Sequence, residues 1–350
     1  MLGGDGTMLR ALQRFRGTGV PVIGVNFGRV GFLASISEHE LEAGLARVFA
    51  GNYRVVELTT LEAEANGVRG PAINDVVVEV HASGFVPAEW EWPSTWVDRS
   101  GHDRAQAIIG HEFAGVVSSL GYGTTGLSLG QRVFGITDWH RDGTLAEYAA
   151  VEARNLAPLP GNVDFTVGAS LPISGLTAWQ GLFQHGRLQA GQSVLAHGAA
   201  GAVGSVVTQL AREFGAYVIG TGRAADRQAA LDFGANEFLD LDHEDLDDIG
   251  GVDLVFDVIG GDIQRRSASI IRPGGTLVSV VGPAEARPVD GLAIDFVVES
   301  VPSQLVEIVD RVRDGRLRTH IGTVASLDDA VPALNPTERR KGKTVIRVRP

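Results

Sequence analysis

The sequence predicts an α/β protein built around a doubly wound parallel sheet. Three observations carry that prediction. From about Gly191 onward, short apolar runs alternate with amphipathic stretches of helical spacing. A glycine-rich turn, 198–204, lies between the first such run and the first such stretch. The region before it, 77–165, has a different texture of short strands and turns, and three of the chain's five tryptophans cluster within it at Trp90, Trp92 and Trp96.

The elements follow in chain order. Residues 1–76 hold a Gly-rich opening, an apolar strand over 20–25, a helix over 38–49 and a second strand near 72–78. After the strand-rich region, 193–197 reads as a short buried strand. The helix that follows the turn carries Val203, Val206, Val207, Leu210, Ala211 and Phe214, spacings of three and four that put one face on a core. Gly215 ends it, and 217–220 is the next strand. A helix over 226–233 closes at Gly234. Strands over 252–259 and 276–281 flank a helix over 263–271. Such alternation predicts parallel strands covered by helices on both faces.

Composition narrows the function classes. The formal net charge of -12 repels a polyanion, which argues against a nucleic-acid partner. With no cysteine in the chain, disulfides, thiolate nucleophiles and every cysteine-containing zinc site drop out. The opening residues lack a basic segment followed by an apolar core, and no apolar stretch is long enough to span a bilayer. A cytoplasmic protein without a membrane partner is the expectation.

The turn Gly198-Ala199-Ala200-Gly201-Ala202-Val203-Gly204 stands where a dinucleotide needs it. Amides at the helix start face a pyrophosphate, and glycines let the backbone approach. Ala199 replaces one glycine of the usual pattern, so strand and helix on either side carry the reading. This is the Rossmann arrangement. The end of the second strand selects the cofactor. A carboxylate there would suit the ribose diol of NAD; Thr221, Gly222 and Arg223, with Arg227 four residues on, suit the 2′-phosphate of NADP(H). Asp226 is read as the cap of the following helix.

The segments VHASG (80–84), IIGHEFAGVV (108–117), LGQRVFG (129–135), GTLAEYAAV (143–151), LPISGLTAWQGLF (171–183), GAAGAVG (198–204), FDVIGG (256–261), RPGGTLVSVVG (272–282) and KGKTVIRV (341–348) occur in one order. Together they resemble the quinone oxidoreductase-like branch of the medium-chain dehydrogenase/reductase superfamily. The resemblance implies a chaperonin-10-like, mostly antiparallel β catalytic domain over 77–165 and 298–350, around a Rossmann domain over 166–297. It implies that Thr177 lies near the nicotinamide and that Val258, Ile259 and Gly260 line the ribose side. Zinc-dependent members carry a cysteine where this chain has Val86, and use the histidine matching His111; no catalytic metal is expected. Without a Lewis acid, the chemistry expected is hydride transfer to an already electrophilic quinone or conjugated enone. Trp90 and Trp92 are candidates for stacking on a flat acceptor, with core or lid packing as the alternative. A homodimer is the assembly the analogy suggests.

The opening resembles a different family, the NAD kinases, through Gly3-Gly4-Asp5-Gly6-Thr7, VPVIGVNFGRVGFLA (20–34) and AINDVVV (72–78). That resemblance implies Asp5 as a base, with Gly4, Gly6, Asn74 and Asp75 at a nucleotide site. Only Met1 and Leu2 precede the signature, and nothing after Val78 matches a second kinase domain. An incomplete small α/β fragment over 1–76 is therefore expected, fused to a reductase that lacks its own first strands. The main expectation is an NADPH-dependent, zinc-free oxidoreductase. The alternatives are phosphoryl transfer by residues 1–76, or a non-enzymatic nucleotide-binding fusion remnant.

Overall fold

In the computed structural model, the alternation predicted beyond residue 191 forms a six-stranded, wholly parallel sheet. The structure describes residues 11, 12, 14, 15, 18–26, 36, 37, 41–55, 61–65, 68–72, 75–86, 89–98, 101–104, 107–121, 124–336 and 341–349. The chain divides into two compact units, one comprising Met1–Val77 and Ser118–Ser128, the other Val78–Val117 and Leu129–Pro350.

In the first unit, β1 (Val25–Asn26) pairs in parallel with β2 (Ile36–Ser37), and α1 spans Leu41–Phe49. Strands β3 (Leu61–Ala65) and β4 (Val68–Ala72) form an antiparallel hairpin. The strand expected over 20–25 shrinks to its last residue plus Asn26. Pro21 has no amide to give a ladder, and Gly24 weakens what remains. The helix expected over 38–49 is described from Leu41; 38–40 lie outside the described residues. The strand expected near 72–78 is two strands, β4 ending at Ala72 and β5 (Asp75–Phe85) beginning three residues later.

The second unit holds most of a seven-stranded sheet in the order β16-β17-β5-β6-β7-β9, with β8 paired to β5. Here β6 is Glu112–Leu120, β7 Arg132–Ile136, β8 Tyr148–Glu152 and β9 Leu156–Pro158. The chain returns much later with β16 (Ile321–Ser326) and β17 (Lys343–Arg347). Pairing is antiparallel for β5/β17, β6/β7 and β7/β9, and parallel for β16/β17. A short helix, α2 (Pro93–Trp96), precedes β6.

The parallel sheet runs β12-β11-β10-β13-β14-β15. Its strands are β10 (Ser193–Ala196), β11 (Tyr217–Gly222), β12 (Glu237–Asp240), β13 (Val252–Asp257), β14 (Ile271–Ser279) and β15 (Leu292–Asp295). Alternate residues explain why both faces carry helices. Val194, Ala196, Val218, Leu254, Phe256 and Val278 enter one core, while Leu195, Ile219, Val255 and Leu277 enter the other. Each large side chain so buried contributes about 1.5–3 kcal/mol.

Helices α3 (Phe165–Ser170), α4 (Pro172–Trp179), α5 (Gly204–Glu213) and α8 (Pro302–Arg313) serve the first core; α7 (Gly261–Ser269) serves the second. Between them in sequence lie α6 (Arg227–Asp232) and, near the end, α9 (Ala330–Leu334). On α5 the buried residues include Val206, Val207, Leu210 and Ala211, the face its spacing predicts. Among the described residues, no helix is long and apolar enough to cross a membrane.

Candidate functional site

Strand β10 stands where the order of the parallel sheet reverses, with β11 on one side and β13 on the other. Ligand crevices of open parallel sheets lie at the carboxyl ends of strands at that point. Here β10 delivers His197 and then the turn 198–204. Gly198 adopts φ 59°, and its carbonyl accepts the Gly201 amide at 2.7 Å. The Ala199 amide reaches across to the Thr221 carbonyl at 3.0 Å. At Gly204, where α5 begins, a Cβ would fall 2.1 Å from the Gly198 carbonyl oxygen. Only glycine allows this closure. Ala199 and Ala200 are buried, whereas Gly201, Ala202 and Val203 are half-buried, so the outer limb of the turn is the accessible one. The Ser205 amide donates to the Gly201 carbonyl and those of Val206 and Val207 to the Val203 carbonyl, each at 3.0 Å, so the backbone left to meet an anion is the outer limb of the turn just before them.

The residues after β11 separate into different roles. Thr221 is buried, and its hydroxyl meets His197 Nδ1 at 2.7 Å rather than facing the crevice. Arg227 donates to the Phe238 carbonyl at 2.8 Å and to Glu244 at 2.7 Å, so its guanidinium is committed to the β12 side. Arg223 is the open cation: its side chain is 79% exposed, with Asp242 3.9 Å away. Asp226 does not cap α6 through its side chain. A short 3-10 turn, Ala224–Asp226, comes first, and the Asp226 carboxylate reaches back to accept the Arg223 amide at 3.1 Å. Lys341 pairs with that same carboxylate. Burial and the neighbouring Arg223 charge hold the Lys341 ammonium below its ordinary pKa. The sequence reading missed Lys341, which arrives from more than a hundred residues downstream.

Across β10, strand β13 ends at Asp257, which organises the loop 258–260. Its Oδ1 accepts the amides of Ile259 at 2.9 Å and Gly260 at 3.0 Å. Its Oδ2 accepts from Gln264 Nε2 at 2.8 Å and Ser279 Oγ at 3.1 Å. Val258 lies against Gly198, so the loop and the turn face each other. Beneath them His197 is fully buried, its Nε2 2.7 Å from Ser267 Oγ. Burial lowers its pKa to about 4, against the opposing pull of Asp257. The imidazole is therefore neutral at physiological pH.

Thr177 lies buried on α4, the helix that packs against α5. The start of α4 is anchored from below, where the Ile173 amide donates to Glu112 Oε2 at 2.8 Å. The other Glu112 oxygen takes Lys343 Nζ in a fully buried pair. Burial pushes the Glu112 carboxyl above its ordinary value, with Lys343 and the Ile173 amide pulling it back.

The residue before it, His111, is also buried. Its Nδ1 meets Glu89 Oε1 at 2.6 Å and its Nε2 faces the Trp139 carbonyl at 3.3 Å. Trp139 and Trp92 pack around the ring at centroid distances of 5.0 and 5.8 Å. A carboxylate on Nδ1 is how metal-ligating histidines are oriented, yet the remaining donors do not assemble. Glu112 is held by Lys343 and Ile173, Val86 offers no donor, and no group of three potential ligands occurs among the described residues. This donor set does not fit zinc. The sequence reading missed Glu89, 22 positions from its partner.

The two tryptophans proposed for acceptor stacking have different packing partners. Trp92 packs edge-on against Trp139 at 5.4 Å, while Trp90 packs on the cluster of Phe85, Ala330, Leu334 and Ile346. Gly4, Asp5, Gly6 and Asn74 lie outside the described residues. Asp75 is buried at the start of β5, its carbonyl accepting the Gly121 amide at 2.8 Å.

Comparison with known proteins divides the chain in the same sense as its motifs. Residues 1–53 match the ATP-NAD kinase N-terminal domain family, 72–161 the alcohol dehydrogenase GroES-like domain, and 202–301 the zinc-binding dehydrogenase family. The quinone oxidoreductase of Rattus norvegicus is 32% identical over 241 residues, 65% of this chain and 70% of its own length. The 2-methylene-furan-3-one reductase of Solanum lycopersicum is 33% identical over 254 residues, 68% and 63% respectively. Among solved structures, the quinone oxidoreductase from Coxiella burnetii superposes with a TM-score of 0.72 at 26% identity. That alignment covers 81% of this chain and 94% of the other.

Proposed function

The chain belongs to the medium-chain dehydrogenase/reductase superfamily of oxidoreductases, and from that premise we propose that it passes hydride from NADPH to a quinone or conjugated enone without zinc. The domain division that goes with this reading is a catalytic domain over 77–165 and 298–350 around a Rossmann domain over 166–297.

The observation that carries the cofactor choice is the exit of β11. There Arg223 stands exposed, and the nearby carboxylate of Asp226 is bound to the Arg223 amide and to Lys341. A 2′-phosphate gains charge-assisted hydrogen bonds from such a site. The turn suits the pyrophosphate, since Gly204 lets it close onto Gly198 while the outer limb at Gly201 and Ala202 stays accessible. When bound, the nicotinamide supplies the hydride.

The chain's own work is orientation. The outer limb of the turn, 201–204, would meet the pyrophosphate, and Asp257 keeps the loop 258–260 in place on what would be the ribose side. The Glu112–Lys343 pair holds the start of α4, the helix whose Thr177 would lie beside the nicotinamide. The acceptor's proton is drawn from solvent. An acceptor already polarised by conjugation needs no Lewis acid, which agrees with the poor fit of zinc around His111. The rat quinone oxidoreductase and the tomato 2-methylene-furan-3-one reductase, as relatives, support the acceptor class. A homodimer is the proposed assembly, supported by the exposed Leu292 on the edge strand β15 and the exposed Val289 and Val297 that flank it in sequence.

The test is oxidation of NADPH and NADH by the full-length protein with a panel of quinones and conjugated enones. NADPH is expected to be preferred, and Arg223→Ala to raise the KM for NADPH about tenfold while leaving that for NADH unchanged. Equal use of both cofactors, unaltered by the substitution, would remove the NADP assignment. A second reading, phosphoryl transfer by residues 1–76, rests on the kinase-family match over 1–53. ATP- and NAD-dependent formation of NADP in the same preparation would establish it.

A further inference from the structure

We propose that His197 is a positioning residue of the cofactor crevice, a bolt that fixes the distance between its two walls. The inference deepens the dinucleotide reading and rests on it. His197 is the first residue after β10, at the strand-order reversal, and its amide donates to the Phe256 carbonyl of β13 at 3.0 Å. Its ring then reaches both ways. Nδ1 meets Thr221 Oγ1 of β11, and Nε2 meets Ser267 Oγ of α7, each at 2.7 Å.

The protons can be placed. Ser267 Oγ donates its single hydrogen to the Ile263 carbonyl at 2.7 Å, so it accepts from His197 Nε2–H. Nδ1 is then unprotonated and accepts from the Thr221 hydroxyl. Every donor and acceptor in this chain has one partner, which selects one tautomer of a neutral ring.

A packed histidine with satisfied nitrogens needs no function. What sets this one apart is the identity of its partners. Thr221 is the residue whose carbonyl holds the Ala199 amide of the turn, and it directly precedes Gly222 and Arg223 on the adenosine side. Ser267 lies on the helix that begins at Gly261, immediately after the loop 258–260 on the other side. One imidazole thus ties the turn and both walls together. Preorganised spacing of this kind is what lets a rigid site hold its ligand without reordering.

The experiment compares parent, His197→Phe, His197→Gln, Thr221→Val and Ser267→Ala as full-length proteins. Measurements are NADPH binding by fluorescence titration and NADPH oxidation with a quinone. Phenylalanine fills the volume without either hydrogen bond; glutamine can accept and donate in the same order. The expected result for His197→Phe is a rise of about tenfold in Kd and in KM for NADPH, with a smaller change in kcat. His197→Gln recovers most of it, and the two single-bond variants each lose part of it. In the parent, imidazole 15N shifts should report the neutral Nε2–H tautomer.

A folded His197→Phe protein that melts lower yet binds NADPH like the parent would overturn the proposal, because a purely structural role moves stability alone. If that variant does not fold, unchanged NADPH binding in both Thr221→Val and Ser267→Ala overturns it equally. Failure of the parent to bind NADPH would remove the cofactor reading itself, and this proposal with it. Binding by the parent, unaltered in every variant, removes His197 only.

Discussion

The cofactor crevice and the neighbourhood of His111 use the same kinds of polar groups to opposite ends. In the crevice, buried groups such as His197 and Asp257 are fully hydrogen-bonded to the walls, and the outer limb of the turn and the Arg223 guanidinium are left open. Around His111 the commitments run inward. Glu89, the Trp139 carbonyl, Lys343 and the Ile173 amide occupy the histidine and its neighbouring glutamate, and aromatic rings close the space. Both regions carry family motifs. A motif marks a site only where its atoms still have bonding capacity to offer, and that is a property of partners rather than of letters.

The comparison breaks hardest at the turn. In Gly204→Val the new side chain would begin 2.1 Å from the Gly198 carbonyl oxygen, so the backbone that meets the pyrophosphate must move. Displacement by about 1 Å is expected to lower kcat/KM for NADPH by about 100-fold or more, read from NADPH oxidation kinetics. Retained kinetics would mean the turn does not hold the cofactor.

In the second region, Lys343→Met leaves Glu112 buried without its counter-ion, and a loss of about 3–5 kcal/mol is expected in urea unfolding near neutral pH. The pH dependence follows from burial, which already raises the Glu112 pKa in the fold. Without Lys343 to pull it back, it rises further. A folded state that keeps a proton which the unfolded state has lost gains stability on acidification. The deficit of the variant should therefore shrink as pH falls from neutral toward the unfolded carboxyl range. A deficit that grows on acidification would contradict the assignment of the pair.

The smallest expected effect sharpens the contrast. Dialysis against a chelator should change NADPH oxidation by no more than about twofold, with zinc well below one per chain by elemental analysis. Stoichiometric zinc whose removal abolishes turnover would show that the His111 region retains ligand capacity.

Much of the fold was legible because it is written in local periodicity. The alternation on β10, β11, β13 and β14 and the buried face of α5 follow from spacings of two and of three to four. The turn was legible for the same reason, as a glycine pattern between two such elements. Side-chain direction at strand ends was not. Thr221 was assigned to the 2′-phosphate by its type, but a neighbour 24 positions away turns its hydroxyl inward. Arg227 was assigned likewise, before the Phe238 carbonyl and Glu244 on the β12 side were in view. Glu89 with His111 and Lys341 with Asp226 leave no periodic trace, since each pair forms only when distant elements meet.

One long-range contact bears on how the polypeptide is made. Glu112 and Lys343 lie 231 positions apart, and β17 closes onto β5 in the same sheet. During synthesis, β10 to β15 leave the ribosome as a contiguous run able to pair, while Glu112 has emerged long before its ammonium partner exists. At roughly 5–20 residues per second, that carboxyl waits on the order of ten seconds or more. The parallel sheet is thus positioned to mature first, and the seven-stranded sheet completes its interior ion pair only when the final strand arrives. Vectorial synthesis gives the two sheets different birth dates within one chain.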